Sequence, residues 1–318
     1  MEKRKLGRLN ESILPLGLGC AAIGGYYTRS GRVASRGEID DQESIRAIHA
    51  ALSHGIRLFD VANIYGAGHA ERILGQALRG QRDKALLQVK FGASFDEVTR
   101  TQIDYEGEVT PAMIRASLEG SLRRLQTDYI DIFQFQIAEY PLEQIPPLID
   151  FLEQLVVEGK IRSISFGTPR VEAAALFAAS PHCATIITGH NLLMDVPEML
   201  DMLDEADVAL LAGIPLFLGF LSGKYTANHL FSKEDLRASV IANTPNMPQR
   251  LQTIAELKPL LTAGGRSMVQ GALAWLWGRH RLTIPLPGFK TADQVEELVG
   301  ALNHGPLSSN QIKEIGQL

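Results

Sequence analysis

Cysteine is almost absent: the 318-residue chain carries two, Cys20 and Cys183. Two thiols build no disulfide framework, and neither sits in a spacing that would hold a metal. His69, His182 and His190 lack ligand spacing too, so no metal is expected. No run of about 18 apolar residues is present to span a bilayer. The opening, MEKRKLGRLNESI, lacks the apolar core of a signal peptide. Clustered positive charge is missing as well; the densest group is Lys3, Arg4 and Lys5, in a chain of net charge −5 and pI about 5.9. Phosphate backbones are bound by clustered Lys and Arg, so a nucleic-acid partner is excluded. These absences lead to the expectation of a cytoplasmic protein with no membrane or nucleic-acid partner. Repeats, linkers and low-complexity tracts are lacking too, and 45% hydrophobic and 21% charged residues suit one globular domain over residues 1–318.

What is present is a rhythm. Short apolar or β-branched runs alternate with helical segments of about 10–18 residues, the pattern of a parallel sheet with crossover helices. Strands are expected at Leu16–Cys20, Arg57–Phe59, Leu86–Val89, Tyr129–Phe133, Ile161–Phe166, Thr185–Ile187, Ala209–Leu211 and Leu282–Pro285. Helices are expected at Ser44–Leu52, Ala70–Leu78, Pro111–Leu125, Leu142–Val157, Val171–Ala178, Pro197–Glu205, Ser267–Trp277 and Ala292–Val299. Thr110-Pro111 is a start signal, a capping hydroxyl followed by Pro at the first helical position. Eight strands alternating with helices close into an α/β fold, a (β/α)8 TIM barrel, here preceded by an N-terminal β-hairpin. An open doubly wound sheet is the alternative. Its dinucleotide fingerprint is nearly matched by Gly17-x-Gly19-x-x-Ala22, but a long Gly-rich loop follows where a helix should open. Two further interruptions, after Phe91 and from Phe217 to Arg250, read as long loops at the C-terminal face, where barrel enzymes build their sites.

The stretch LFDVANIYGAGHAERILGQAL, Leu58 to Leu78, places a carboxylate, Asp60, at the tip of an apolar strand and a phenol, Tyr65, five residues on. Lys90 ends the next strand, in QVKFG. Neighbouring strand ends lie side by side in a barrel, so the three side chains can converge at one mouth. An ammonium beside a phenol favours the phenolate, and a carboxylate holds the ammonium in place. Such a phenol can donate a proton to a developing alkoxide. Taken singly, each has a plainer role as turn cap, salt bridge or packing residue. Tyr26 and Tyr27 are candidates to line a pocket, and His190 is a minor acid–base candidate.

From end to end the chain resembles the aldo-keto reductases. The segments that carry the likeness are RKLGRLNESILPLGLGC, FDVANIYGAGHAERILGQAL, VKFG, SLRRLQTDYIDIFQFQ, EGKIRSISFG, PLFLGFLSGKY and IPLPGFKTADQVEEL. The resemblance implies a barrel that uses NADPH to reduce aldehydes and ketones through an Asp, Tyr, Lys, His tetrad. Asp60, Tyr65 and Lys90 match it; the histidine position is Gln136, in Gln134-Phe135-Gln136. An amide can donate to a carbonyl oxygen but cannot ionise.

The same likeness implies the cofactor positions. After the fifth strand, Gly167, Thr168 and Pro169 stand where Ser-Asn or Ser-Thr holds the nicotinamide carboxamide, so Thr168 is the expected contact. Ile187, Gly213 and Leu298 replace a Gln, an aromatic or Arg, and an Asn. Gly219, Leu221, Ser222 and Lys224 resemble the loop over the diphosphate. PGFKT opens a helix whose free N–H groups suit a phosphate, with Gly288, Lys290, Thr291, Gln294 and Glu297 as contacts and Lys290 suited to a 2′-phosphate. The expected function is an NADPH-dependent oxidoreductase acting on a small carbonyl or alcohol. The alternatives are a cofactor-independent lyase, dehydratase or cyclase using Asp60, Tyr65 and Lys90, or a catalytically silent binding protein.

Overall fold

The computed structural model describes residues 1–226 and 229–317; residues 227 and 228, within the expected long loop, and 318 at the chain end lie outside the described residues. The chain opens with the antiparallel pair β1 (Arg4–Lys5) and β2 (Ser12–Ile13), then β3 (Gly17–Gly19). Two short strands follow, β4 (Thr28–Arg29) and β5 (Arg32–Val33), before helix α1 (Asp41–Ser53). Next come β6 (Leu58–Ala62), α2 (His69–Ala77), β7 (Leu86–Phe91), the hairpin β8 (Ala93–Asp96) and β9 (Thr101–Asp104), and α3 (Pro111–Leu125). Strand–helix units β10 (Ile130–Phe135) with α4 (Ile145–Val157), β11 (Ile161–Gly167) with α5 (Val171–Ala179), and β12 (Cys183–Gly189) with α6 (Pro197–Ala206) continue the series. Strand β13 (Ala209–Gly213) precedes α7 (Leu236–Asn243), α8 (Met247–Thr262) and α9 (Met268–Arg279). The chain finishes with β14 (Thr283–Pro285), α10 (Ala292–His304) and α11 (Ser309–Ile315).

One parallel sheet runs in the order β14-β13-β12-β11-β10-β7-β6-β3, so the eight strands follow chain order around the molecule. Its two ends meet: the Gly19 amide donates to Pro287 O at 2.9 Å, and Gly19 bridges Gly288. The expected (β/α)8 barrel is what forms. Buried side chains fill both faces of the strands, as all-parallel sheets require. The bottom is closed by the hairpin. At Gly7, φ is +48° and an added Cβ would lie 1.9 Å from Ala184 O, so only glycine admits this approach. Beside it Arg8 donates to the carbonyls of Ala178, Ser180 and Ala206 (2.5–2.8 Å), capping the C-terminal ends of α5 and α6.

Several expectations shift. Strand ends extend further: Asp60 is not at a strand tip but third of five residues in β6, because pairing with β7 continues to Ala62↔Lys90. The three expected long loops are not structureless. β4 and β5 pair with β9 and β8 into a small four-stranded sheet, with Thr28 opposite Thr101. Strands of two to four residues joined across some seventy positions leave no local period to read. Helices α7 and α8 occupy part of the segment read as loop from Phe217 to Arg250. In α8 the face Met247, Leu251, Ile254, Leu257 and Leu261 is buried at helical spacing, a period the sequence does carry.

Outside the barrel wall, the buried Asp131 carboxylate accepts from Arg82 (2.6 Å), Arg162 (2.7 Å) and the Leu87 amide (2.9 Å). Removing the acid leaves an uncompensated cation at a half-buried site. Asp131→Ala is expected to cost about 3–5 kcal/mol in urea unfolding; a cost under about 1 kcal/mol would assign this cluster no structural weight.

Candidate active site

Side chains alternate along a strand, so every second residue of the barrel strands points inward. That alternation puts Asp60, Gln88, Lys90 and Gln134 on the inner wall. Lys90 Nζ forms an ion pair with Asp60 Oδ2 and donates to Tyr65 Oη at 3.0 Å. Gln88 Nε2 donates to Asp60 Oδ1 (3.0 Å) and to Gln134 Oε1 (2.7 Å). Thr185 Oγ1 donates to Gln88 Oε1 (3.2 Å) and lies 2.9 Å from Ser165 Oγ. A polar thread thus runs through the barrel interior and ends on the phenol.

The loop bearing Tyr65 is pinned by close backbone packing. Gly66 has φ +61°, and a Cβ there would meet Gly24 O at 1.6 Å. This places the first long loop directly over Tyr65. Burial pulls the Lys90 pKa down, but Asp60 and then Tyr65 more than offset it, and the net direction is up. Asp60 and Tyr65 thus favour the charged form of Lys90.

Asp60, Tyr65, Lys90 and Gln136 all line one cleft of about 690 Å³ at the C-terminal face. Gln136 makes no side-chain hydrogen bond among the described residues, and its Oε1 is buried without a partner. Of the expected cofactor contacts, Thr168, Gly219, Ser222, Lys224, Gly288, Lys290, Gln294 and Glu297 line the cleft, as do Ile187, Gly213 and Leu298. Two do not. Leu221 is fully buried, and its amide donates to Leu216 O at 3.1 Å. Thr291 caps α10, accepting from the Gln294 amide at 3.2 Å. The Thr168 hydroxyl is already committed, donating to Ala138 O and accepting from the Arg170 amide, both at 3.1 Å. Lys290 Nζ donates to Arg36 O (2.8 Å) and Glu38 O (2.6 Å), which ties PGFKT to the first loop.

The sequence reading missed Arg36 and Arg237, both on the cleft wall. Arg36 lies in a segment that crosses the cleft: it bridges Asp235, and Ser35 Oγ donates to Glu234 O at 2.7 Å. Its Nη1 is buried and has no partner among the described residues. Arg237 is held by Asp235 (2.5 Å) and donates to Tyr225 Oη (2.8 Å). The only sequence signal was scattered basic residues, which the fold alone gathers. Gln88, by contrast, was legible as an amide inside an expected apolar strand, whereas Gln134 lay one residue beyond the expected end of its strand.

The tyrosine and histidine candidates fall away. Tyr26 is exposed, Tyr27 is buried with its ring 6.5 Å from that of Tyr65, and neither lines the cleft. His69 pairs with Asp41 at 2.8 Å. His190 is fully buried, 5.5 Å ring to ring from Trp275, and is not part of the cleft wall. Its Nδ1 donates to Met194 O at 3.2 Å, and Nε2 has no partner among the described residues. Among the described residues no group of three or more acidic, His or Cys side chains is placed to hold a metal, and no helix is long and apolar enough to cross a membrane. Both cysteines are free and buried, and burial pushes the Cys183 thiol up to about 12.

The family comparison agrees with this geometry. The model of the Aldo/keto reductase family matches residues 15–318, and the chain belongs to that family. Among its relatives is the aldo-keto reductase YhdN of Bacillus subtilis (strain 168), 31% identical over 315 residues, with 95% of this chain and 89% of that protein covered. The chloroplastic pyridoxal reductase of Arabidopsis thaliana is 29% identical, with 98% and 84% covered. The solved glycerol dehydrogenase AKR11B4 from Gluconobacter oxydans superposes with a TM-score of 0.83 at 28% identity, covering 99% and 94%. An aldo-keto reductase from Klebsiella pneumoniae, solved with NADPH, shares the fold with a TM-score of 0.72 at 23% identity, covering 100% and 95%.

Burial holds the His190 pKa below its ordinary value, with Met194 O and Asp195 opposing and Arg279 and His280 adding to the shift. Unfolding lets that imidazole take up a proton near pH 6.5. Stability is therefore present above that pH and is lost as pH falls below it. Thermal midpoints at pH 7 and 5.5 are expected to differ less in His190→Asn than in the parent protein; equal differences would remove His190 as a source of acid sensitivity.

Proposed function

We propose that the protein is an NADPH-dependent oxidoreductase that reduces a small carbonyl compound or oxidises the corresponding alcohol. The observation that carries this reading is the Asp60–Lys90–Tyr65 chain at the floor of the cleft. Tyr65 donates its proton to the carbonyl oxygen as negative charge develops there. The Lys90 ammonium, 3.0 Å from the phenol oxygen, stabilises the phenolate left behind. Asp60 keeps Lys90 in place, and Gln88 keeps Asp60 in place. Gln136 orients the carbonyl oxygen through its amide N–H groups.

The cleft fits the cofactor that the family resemblance implies. Its length is walled by the β14–α10 turn at one end and Tyr65 at the other, and the Arg36 guanidinium offers an unpartnered buried donor to an anion. Gly219, Ser222 and Lys224 serve the diphosphate, and Gly288, Lys290, Gln294 and Glu297 the adenosine end. Thr168, Ile187, Gly213 and Leu298 form a mostly apolar nicotinamide seat. NADPH, when bound, supplies the hydride taken up by the carbonyl carbon. The relatives carry the names of reductases and a dehydrogenase. No observation favours the non-redox alternative or the silent binding protein.

Titration with NADPH, followed by quenching of Trp275 and Trp277, should saturate below millimolar cofactor; no binding at millimolar concentration would sink the reading. Tyr65→Phe should lower kcat by about 10²–10⁴ with cofactor affinity kept; an unchanged kcat would remove Tyr65 as the proton donor. Replacing Gln136 by His should raise carbonyl reduction, by roughly tenfold, since an imidazole adds an ionisable donor. A rate unchanged or lowered would mean that the amide is fitted to this substrate.

A further inference from the structure

Gln134 lies on β10 opposite Lys90 of β7 and Ser165 of β11, and it lines the cleft from the inner wall. The orientation of its amide follows from a series of requirements that starts at a charge. A carboxylate only accepts, so the Gln88 atom 3.0 Å from Asp60 Oδ1 is the amide nitrogen. That nitrogen is also 2.7 Å from the Gln134 amide, so the Gln134 atom it meets is the oxygen. Turning either amide over would set donor against donor or oxygen against oxygen. Gln88 Oε1 is served separately by Thr185 Oγ1 at 3.2 Å. With its oxygen committed to Gln88, Gln134 directs its NH2 away from the polar thread, where no group among the described residues accepts from it.

Gly167 marks where that NH2 lies. A Cβ there would stand 2.6 Å from Gln134 Nε2 and 3.3 Å from Ile187 Cγ2. Gly167 ends β11 without a left-handed φ, so it contributes room rather than conformational freedom. The nitrogen occupies that room, next to Ile187 in the seat assigned above to the nicotinamide. Ile187, Gly213 and Leu298 bring no side-chain donor to this seat, and the Thr168 hydroxyl is spent on Ala138 O. Gln134, 1% exposed, therefore holds an open donor against a mostly apolar wall. Such a donor is costly, and a native site retains it where a ligand brings the acceptor.

We propose that Gln134 binds the carboxamide of the nicotinamide ring, its NH2 donating to the carboxamide oxygen and so holding the ring in one rotation. This rests on the reductase reading of the cleft and adds to it the residue that orients the reacting end of the cofactor. Gln88 is then a positioning residue on two sides. Its nitrogen holds Asp60, which holds Lys90 beside Tyr65, and the same nitrogen holds Gln134. The proton donor and the seat of the nicotinamide are thereby registered to one buried carboxylate. Gly167 belongs to the same device, since a side chain there would displace the amide.

Calorimetric titration of the parent protein and of the length-conserving variant Gln134→Met compares NADPH with 2′-phospho-ADP-ribose, which lacks the nicotinamide. The variant should bind NADPH about tenfold more weakly, the loss of one buried hydrogen bond, with the truncated ligand kept within about twofold. Unchanged NADPH affinity overturns the proposal. Equal losses for both ligands overturn it too, by showing that Gln134 serves only the fold. In both cases NADPH binding by the parent still upholds the reductase reading; if the parent binds no NADPH, reading and proposal fall together. Should Gln134→Met not fold, Gly167→Ala takes its place, because the added methyl displaces the amide nitrogen from outside the thread. The parent should prefer NADPH over its thionicotinamide form, whose sulfur is a weaker acceptor, and Gly167→Ala should lose that preference. A preference absent from the parent, or kept in the variant, overturns the proposal.

Discussion

The buried pair of Asp60 and Lys90 is the constraint on which the rest of the site depends. Two charges inside a barrel are expensive unless each is compensated, and removing one partner strands the other. Here the carboxylate also accepts from Gln88, and the ammonium also reaches Tyr65. Gln88 in turn needs Gln134 and Thr185. The polar thread through the interior is therefore a chain of obligations that begins with one ion pair. It ends on the phenol oxygen of Tyr65, 3.0 Å from Lys90 Nζ.

The second constraint acts from above. The first loop packs backbone to backbone on Gly66, then crosses to meet Asp235, and Lys290 clasps its carbonyls. The loop after β3, the segment after β13 and the turn after β14 are thereby joined over the cleft. Arg36, whose Nη1 has no partner among the described residues, lies in this covering and lines the cleft. On the opposite side the hairpin β8–β9 walls a separate cavity with amides. The cleft and this cavity share Lys90 and Gln136.

The barrel and its order were legible because eight apolar runs alternate with amphipathic helices, a period that survives any tertiary detail. Asp60, Tyr65 and Lys90 were legible because strand ends must converge in such a barrel, and Gln136 because the family resemblance implied a tetrad position there. The strand boundaries were less so: the continued pairing of β6 with β7 moved Asp60 inside a strand that its local sequence would have ended there. Leu221 and Thr291 do not line the cleft, and Thr168 lines it with its hydroxyl already hydrogen-bonded to the chain, for one shared reason. Sequence shows which groups can hydrogen-bond, and folding had already spent these on the chain itself.

The sequence by itself determined the architecture and the acid–base trio, since both follow from local period and from strand order. Tertiary structure alone decided which polar groups remain unpaired. Arg36, Gln102 and Gln136 look ordinary in the sequence, because pairing is a property of neighbours brought from remote positions. Only in the folded chain do Arg36 Nη1, Gln102 Oε1 and Gln136 Oε1 emerge as buried atoms without partners among the described residues.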